Sequence, residues 1–401
     1  MMLKRILVVG GGQHQIPLIE KARNLGMTTV ALDPQPQAPA FAFVNHAVTA
    51  PFSEEAIIAA ARTHSVDGIL PGSESVQTPV ARAAKALGLP GPSPEAAERL
   101  FNRYTMRLAL TVDEGSRPLF RREHSAPEAE AAAGALGLPV VARPADGPAG
   151  MGVQCVIYPE DVSLAFYRAQ RYSDSGAVLI EESMAGSWYG VDGFVEEGTF
   201  AAAGVTGYER REGPYPVVQA MVAPAPVTEP VRHAIIEATR TAFRRIGLTW
   251  GAVHADVVFT DEGPRIWDLC GQIGGAPMSR DLFVWAYGLD YLADCLRAAV
   301  GEPRKEAVRF HRGAALCWIP AHPGIVREVR GLEAAHAVPG IEQMAIAAKP
   351  GDVLYHVVDQ KSRERTGYVL AAAHTADAAL AAAKQACDLC RMVTTATHAA
   401  P

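Results

Sequence analysis

Between residues 4 and 100 strand-like and helix-like segments take turns, and no other feature constrains the fold as much. RILVVG is a short apolar strand, and QIPLIEKARNLG is a helix closed by Gly26. TTVALD is a second strand, SEEAIIAAARTHS a helix capped by Ser53, and VDGILPG a third strand. TPVARAAKALG then reads as a helix ended by Gly88. Strands separated by helices of this length pair in parallel, because a parallel crossover needs a dozen or more residues. The proline-rich LPGPSPEAAERL opens a new helix and places a boundary near Pro94, giving an N-terminal α/β domain over residues 1–95.

A chain of 401 residues exceeds one ordinary core, so further domains are expected. Residues 118–185 read as a small α+β lobe: PLFRRE, a helix at 126–137, LPVVARP, a glycine loop, VQCVIY, a helix at 160–173, and AVLIEESM. From 190 to 270 the strands lengthen around a helix at 229–246, and a helix near 281–300 follows. This assigns 96–305 to a core containing the lobe. Residues 306–401 become a C-terminal α+β domain of short strands ending in a helix. A net charge of −6 and the lack of a basic stripe argue against a nucleic-acid partner. The opening run MMLKRILVVGGG is too short for a signal peptide, and no apolar segment approaches the ~18 residues of a membrane span. The six cysteines have no framework spacing, so reduced thiols and a cytoplasmic location are expected.

The segment GAVHADVVFTDEGPRIWDLCGQ reads as a β-hairpin, with TDEG as its turn and Gly263 suited to a positive φ. Side chains alternate along a strand, so His254 and Asp256 share a face. A turn centred on Glu262 sets Asp256 opposite Asp268 and His254 opposite Cys270. Opposed side chains lie about 4.5–5.5 Å apart at Cβ. Two carboxylates at that distance need a proton or a positive partner, and Mg²⁺ suits carboxylate oxygens and substrate phosphates. Asp256 and Asp268 are therefore expected to hold Mg²⁺.

ARPADGPAGMGV joins two apolar runs through Gly147, Gly150 and Gly152, whose backbone amides are free to curl around phosphate oxygens. It lacks the GxxxxGK(S/T) pattern, so it is not a P-loop. Taken in order, GILPGSESVQTPVARAAKALGLPGPSPEAAERLFNRYTMR, VVARPADGPAGMGVQCV, VLIEESMAG, the hairpin, and PGDVLYHVVDQKSRERTGYVLAAAHTADAALAAA resemble the landmarks of the ATP-grasp superfamily, in its carboxylate–amine ligase branch. The resemblance implies a three-domain architecture: an N-terminal parallel α/β domain, a small α+β lid, and an antiparallel-sheet core with a C-terminal domain. It implies ATP and Mg²⁺ as cofactors, activation of a carboxylate as an acyl phosphate, and attack by an amine to form an amide. By position, Arg103 and Arg143 face phosphates, and Glu181, with Glu182 and Met184 on the same hinge, reads adenine. Gln272 lies near the transferred phosphoryl group, and the loop from Gly147 to Gly152 covers the phosphates. Small, amino-acid-like carboxylate and amine substrates follow, with His14, Gln15, Ser73, Glu74 and Arg280 as positional candidates around them; a homodimer follows from the resemblance alone.

Several positions depart from the family pattern. Arg103 and Arg143 stand where lysines are usual, Asp256 and Asp268 where glutamates are usual, and Trp188 where a ribose-binding glutamate is common. Cys270 replaces an asparagine, and Gln272 an arginine. Arginine's planar fork does not substitute neutrally for an ammonium, and thiol is a poor ligand for Mg²⁺. Two alternatives therefore stay open: a retuned ATP-dependent ligase, or a descendant using the cleft for ATP-independent chemistry or small-molecule binding, with Cys270 and His254 as a thiol–imidazole pair. A third is an NAD(P)-dependent oxidoreductase, suggested by VVGGGQHQ and Asp33, although Gln15 stands where the third glycine belongs.

Overall fold

The computed structural model describes residues 3–111, 117–147, 150–273, 281–305, 308–309 and 312–395. The N-terminal strands β1 (Arg5–Val9), β2 (Thr28–Asp33), β3 (His46–Thr49) and β4 (Gly68–Pro71) form a parallel sheet in the order β3-β2-β1-β4. Ile6, Leu7, Val8 and Val9 are wholly buried, as expected of a strand covered on both faces. The edge strand β3 escaped the sequence reading because HAVT is short and mostly exposed. Gly88 ends the Gln77–Leu87 helix in the left-handed conformation, and Ser53 caps the Glu54–Thr63 helix through the Ala56 amide.

The lid lobe is a four-stranded antiparallel sheet of β5 (Phe120–Glu123), β6 (Val140–Pro144), β7 (Gln154–Val156) and β8 (Val178–Glu182), in the order β5-β8-β6-β7. The helices Ala126–Leu136 and Val162–Gln170 cover one of its faces with Ala129, Ala133, Ala165 and Phe166.

The core is built on β9 (Ser187–Glu196), β10 (Thr199–Arg210), β11 (Val218–Ala223), β12 (Gly251–Thr260) and β13 (Gly263–Cys270). Past residue 306 the chain adds β14 (Gly313–Trp318), β15 (Gly324–Arg330), β16 (Ile341–Ile346), β17 (Val353–Leu354), β18 (Gly367–Ala373) and β19 (Arg391–Thr395). Three of these continue the core: one eight-stranded sheet runs β13-β12-β9-β10-β11-β14-β18-β16, while β17-β15-β19 form a small sheet of their own. The join is the β11–β14 pairing, where Ala220 meets Cys317. The expected helix near 281–300 is two helices, Phe283–Tyr287 and Tyr291–Ala299, because Gly288 takes a left-handed φ of 62°. The expected terminal helix, Ala376–Leu389, is followed by β19.

One face of the core sheet packs Val191, Val205, Val253 and Val257 against the Glu229–Ile246 helix. The opposite face carries the polar residues described next, above a layer of Phe194, Phe283, Tyr287 and Tyr291.

Candidate functional site

The hairpin forms in the expected register: Asp256 pairs with Asp268 and His254 with Cys270, with a bulge between Asp256 and Val257. Gly263 turns the corner at φ 110°. The two opposed acids do have positive partners, but each has its own, and both partners are side chains.

Asp268 is held by two guanidiniums: Arg103 Nε donates to its Oδ2 at 3.1 Å and Arg143 donates to the same oxygen at 2.5 Å. Its Oδ1 accepts from the Leu269 amide at 3.1 Å. Burial opposes ionisation of Asp268, yet Arg103 and then Arg143 hold its carboxyl well below the usual carboxylate range. Arg103 also donates to the Gly147 carbonyl at 2.8 Å, tying the glycine loop to the hairpin, and lies 3.9 Å from Glu74.

Glu181, expected to face adenine, has no exposed surface and is bound by arginine instead. Arg107 grips it with two bonds of 2.6 and 3.1 Å, and Arg143 approaches at 3.5 Å. Burial pushes the Glu181 carboxyl up, but Arg107 and Arg143 outweigh it and leave it lowered. Arg107 further donates to the carbonyls of Ile266 and Trp267, and Arg143 to that of Trp267. Arg107 went unassigned in the sequence reading. The available signal was its spacing: four residues after Arg103, it lies on the same face of the Arg103–Ala109 helix.

Met184 packs with Val141, Val153, Val258 and Trp267, and Trp188 closes this cluster edge-on to Trp267 at 4.8 Å between ring centroids. Arg143 lies over the Trp267 ring and Arg210 over Trp188. Glu182, half-exposed at the hinge, accepts from the Leu119 amide and pairs with Arg265. Gly147, Gly150 and Gly152 all have positive φ, and a Cβ on Gly147 would meet the Tyr172 carbonyl at 2.2 Å.

Asp256 belongs to a second cluster. His254 lies between two carboxylates, Nδ1 at 3.1 Å from Asp192 and Nε2 at 3.3 Å from Asp256. The Tyr208 hydroxyl stands 3.5 Å from the same Nε2. Gly190 makes this possible, since a Cβ there would strike the Tyr208 hydroxyl at 1.9 Å. Burial alone would lower the His254 pKa, but Asp192 and Asp256 raise it well above the ordinary value, which favours the imidazolium form. Asp192 and Tyr208 were not singled out from sequence, because each sits in an alternating strand with no local motif.

The thiol–imidazole pair considered under the ATP-independent alternative is not formed. Cys270 donates to Glu74 at 3.3 Å, burial and Glu74 push its thiol well up, and both His254 nitrogens are committed to carboxylates. Gln272 lines a narrow apolar cavity with Ile69, Leu100 and Trp250, at the seam with the N-terminal domain. Gln15 donates to the Gly72 carbonyl, and Asp33 accepts from the Gly11 amide at 2.7 Å. Ser73 lies beside Ser75 at 3.0 Å, and His14 is 3.7 Å from Glu364. Arg280 lies outside the described residues.

As arranged, these residues do not fit Mg²⁺: both Asp268 oxygens are taken, and among the described residues no group of three His, Cys, Asp or Glu suits a metal ion. Nor does the hinge present a free Glu181 carboxylate to an adenine amino group. Among the described residues no helix is long and apolar enough to cross a membrane.

Three family models match in chain order. The ribonucleotide synthetase preATP-grasp domain covers residues 3–97, the ATP-grasp domain 136–276, and the L-amino acid ligase C-terminal domain 2 residues 317–395. Residues 136–276 thus match an ATP-grasp domain, flanked by segments that match ribonucleotide synthetase and L-amino acid ligase models. The whole fold is similar to that of an L-amino acid ligase from Bacillus licheniformis, with a TM-score of 0.82 at 20% identity over 99% of this chain and 100% of that one. It is also similar to the N5-carboxyaminoimidazole ribonucleotide synthetase of Thermotoga maritima, with a TM-score of 0.75 at 17% identity over 98% and 100%. In sequence, it is 28% identical to a formate-dependent phosphoribosylglycinamide formyltransferase from Anaeromyxobacter dehalogenans, over 87% of this chain and 90% of that one. It is 26% identical to the Sinorhizobium fredii protein y4rH over 78% of this chain, a match spanning 65%, less than two thirds, of that protein's length.

Proposed function

We propose that the chain is an amide-forming ligase that joins a small carboxylate to a small amine, both amino-acid-like. The observation that carries this reading is the polar floor of the core sheet. Glu74, Asp256, Asp192 and the His254 imidazolium gather there in a chain whose three segments match ligase-branch models in order. Asp256 and His254 keep part of their side-chain surface open, at 28% and 14%, whereas Asp192 is sealed beneath them. Both His254 nitrogens are held by Asp192 and Asp256, so the ring fixes Asp256, whose carboxylate, with that of Glu74, suits a substrate ammonium group. Asp192 is a positioning residue, fixing the His254 ring from below. ATP, when bound, would supply phosphoryl activation, yet as arranged Asp268 accepts bonds on both oxygens where its metal would lie and Glu181 is gripped by Arg107 where its base would lie.

The test uses the full chain with pooled amino acids and ATP, in Mg²⁺ and separately in EDTA, with mass detection of amides and assay of phosphate. New amide together with phosphate release is expected, and His254→Ala and Asp256→Asn are each expected to lower kcat/KM at least ~10²-fold. No amide under either condition ends the ligase reading. A second reading, a descendant that binds small molecules without nucleotide, is favoured by the saturation of Glu181 and Asp268 with arginine. Its mark is a thermal shift with carboxylate or amine compounds and none with ATP.

A further inference from the structure

We infer that Arg103 and Arg143 are the resident cation of this cleft, and that the Asp256–Asp268 pair takes no divalent ion. The inference concerns the cation alone and holds or fails apart from amide formation.

It starts from the oxygen count. A hard divalent ion needs free carboxylate oxygens. Asp268 Oδ2 already receives two guanidinium N–H groups, and Oδ1 receives a backbone amide. Asp256 Oδ1 is directed to the His254 ring, itself held from its other nitrogen by Asp192. Cys270, next along the strand face from Asp268, donates its proton to Glu74 and offers sulfur rather than oxygen.

Charge leads to the same place. Arg103, Arg107 and Arg143 face Glu74, Glu181 and Asp268, three cations against three acids, all with little or no exposed surface. The cluster is neutral as it stands. A dication entering beside Asp268 would sit against two guanidiniums that cannot shed their protons. Lysine at 103 and 143 would give point charges on flexible stems. Arginine instead reaches several acceptors at once, so Arg103 joins Asp268 to the Gly147 carbonyl and Arg143 joins Asp268 to Glu181 and the Trp267 carbonyl. The substitutions at 103, 143 and 268 thus form one rearrangement: longer, forked cations meet a shorter acid.

The experiment titrates the full chain with Mn²⁺, followed by electron paramagnetic resonance, and compares thermal unfolding of the wild type and Asp268→Asn in Mg²⁺ and in EDTA. Expected are no saturable Mn²⁺ site, the same wild-type Tm in both buffers, and an Asp268→Asn penalty of equal size in both. One Mn²⁺ per chain that disappears in Asp256→Asn would overturn the inference. So would an Asp268→Asn penalty seen only in Mg²⁺. If Asp268→Asn does not fold, the wild-type titration decides alone.

Discussion

Replacing Arg107 by methionine is expected to lower the unfolding free energy by about 3–5 kcal/mol, read as a lower urea midpoint with an unchanged slope. Glu181 has no contact with solvent, and Arg107 supplies both of its close bonds. What remains is Arg143 at 3.5 Å, already committed more tightly to Asp268. Methionine fills much of the same space but leaves a buried carboxylate with half its counter-charge, takes the arginine donor from the Ile266 carbonyl, and leaves that of Trp267 to Arg143 alone. The double variant Arg107→Met/Glu181→Leu is expected to recover a large part of the loss, because removing a buried pair together costs far less than removing one member. The acid side follows from the same network. Glu181 and Asp268 are both held ionised below their unfolded pKa values of about 4. Their contribution is therefore complete above about pH 4 and lost as pH falls through the depressed folded values. A loss below ~1 kcal/mol in Arg107→Met would mean that the pair behaves as an exposed ion pair, leaving Glu181 available to a ligand.

The fold was legible where periodicity is strong. Three of the four N-terminal strands, the lid lobe and the hairpin register, down to Asp256 opposite Asp268, follow from alternation and turn chemistry. The edge strand His46–Thr49 did not, because a mostly exposed strand of four residues carries no clear apolar pattern. The continuation of the core sheet through β14, β18 and β16 was hidden for a different reason: strand pairing across more than ninety residues of sequence is set by packing, and no local signal marks it. At the site, the need for positive charge beside Asp268 was readable from the register, but its source was not. Arg103, Arg107 and Arg143 come from a helix and a lid strand that meet the hairpin only in three dimensions. Arg103, Arg143 and Asp268 were singled out one by one; that the three side chains meet required the distances.

The second large effect concerns alkaline pH. Stability is expected to fall as pH rises above neutrality, and the fall is expected to vanish in His254→Gln. His254 lies between Asp192 and Asp256, which raise its pKa well above its unfolded value near 6.5 even though burial works the other way. The native state therefore holds a proton that the unfolded chain has released. The sign follows: the contribution is fully present below about pH 6.5 and is lost as pH climbs through the raised folded value. Each unit of elevation is worth about 1.4 kcal/mol. Urea unfolding at several pH values across this window measures the slope directly. Glutamine keeps hydrogen-bonding capacity without a titrating proton, so it should flatten the profile while costing stability at every pH, since Asp192 then stays buried without its cation. Asp192→Asn should shrink the slope by removing the partner that raises His254 most, and a wild-type profile already flat across this range would mean that the ring is neutral in the native protein.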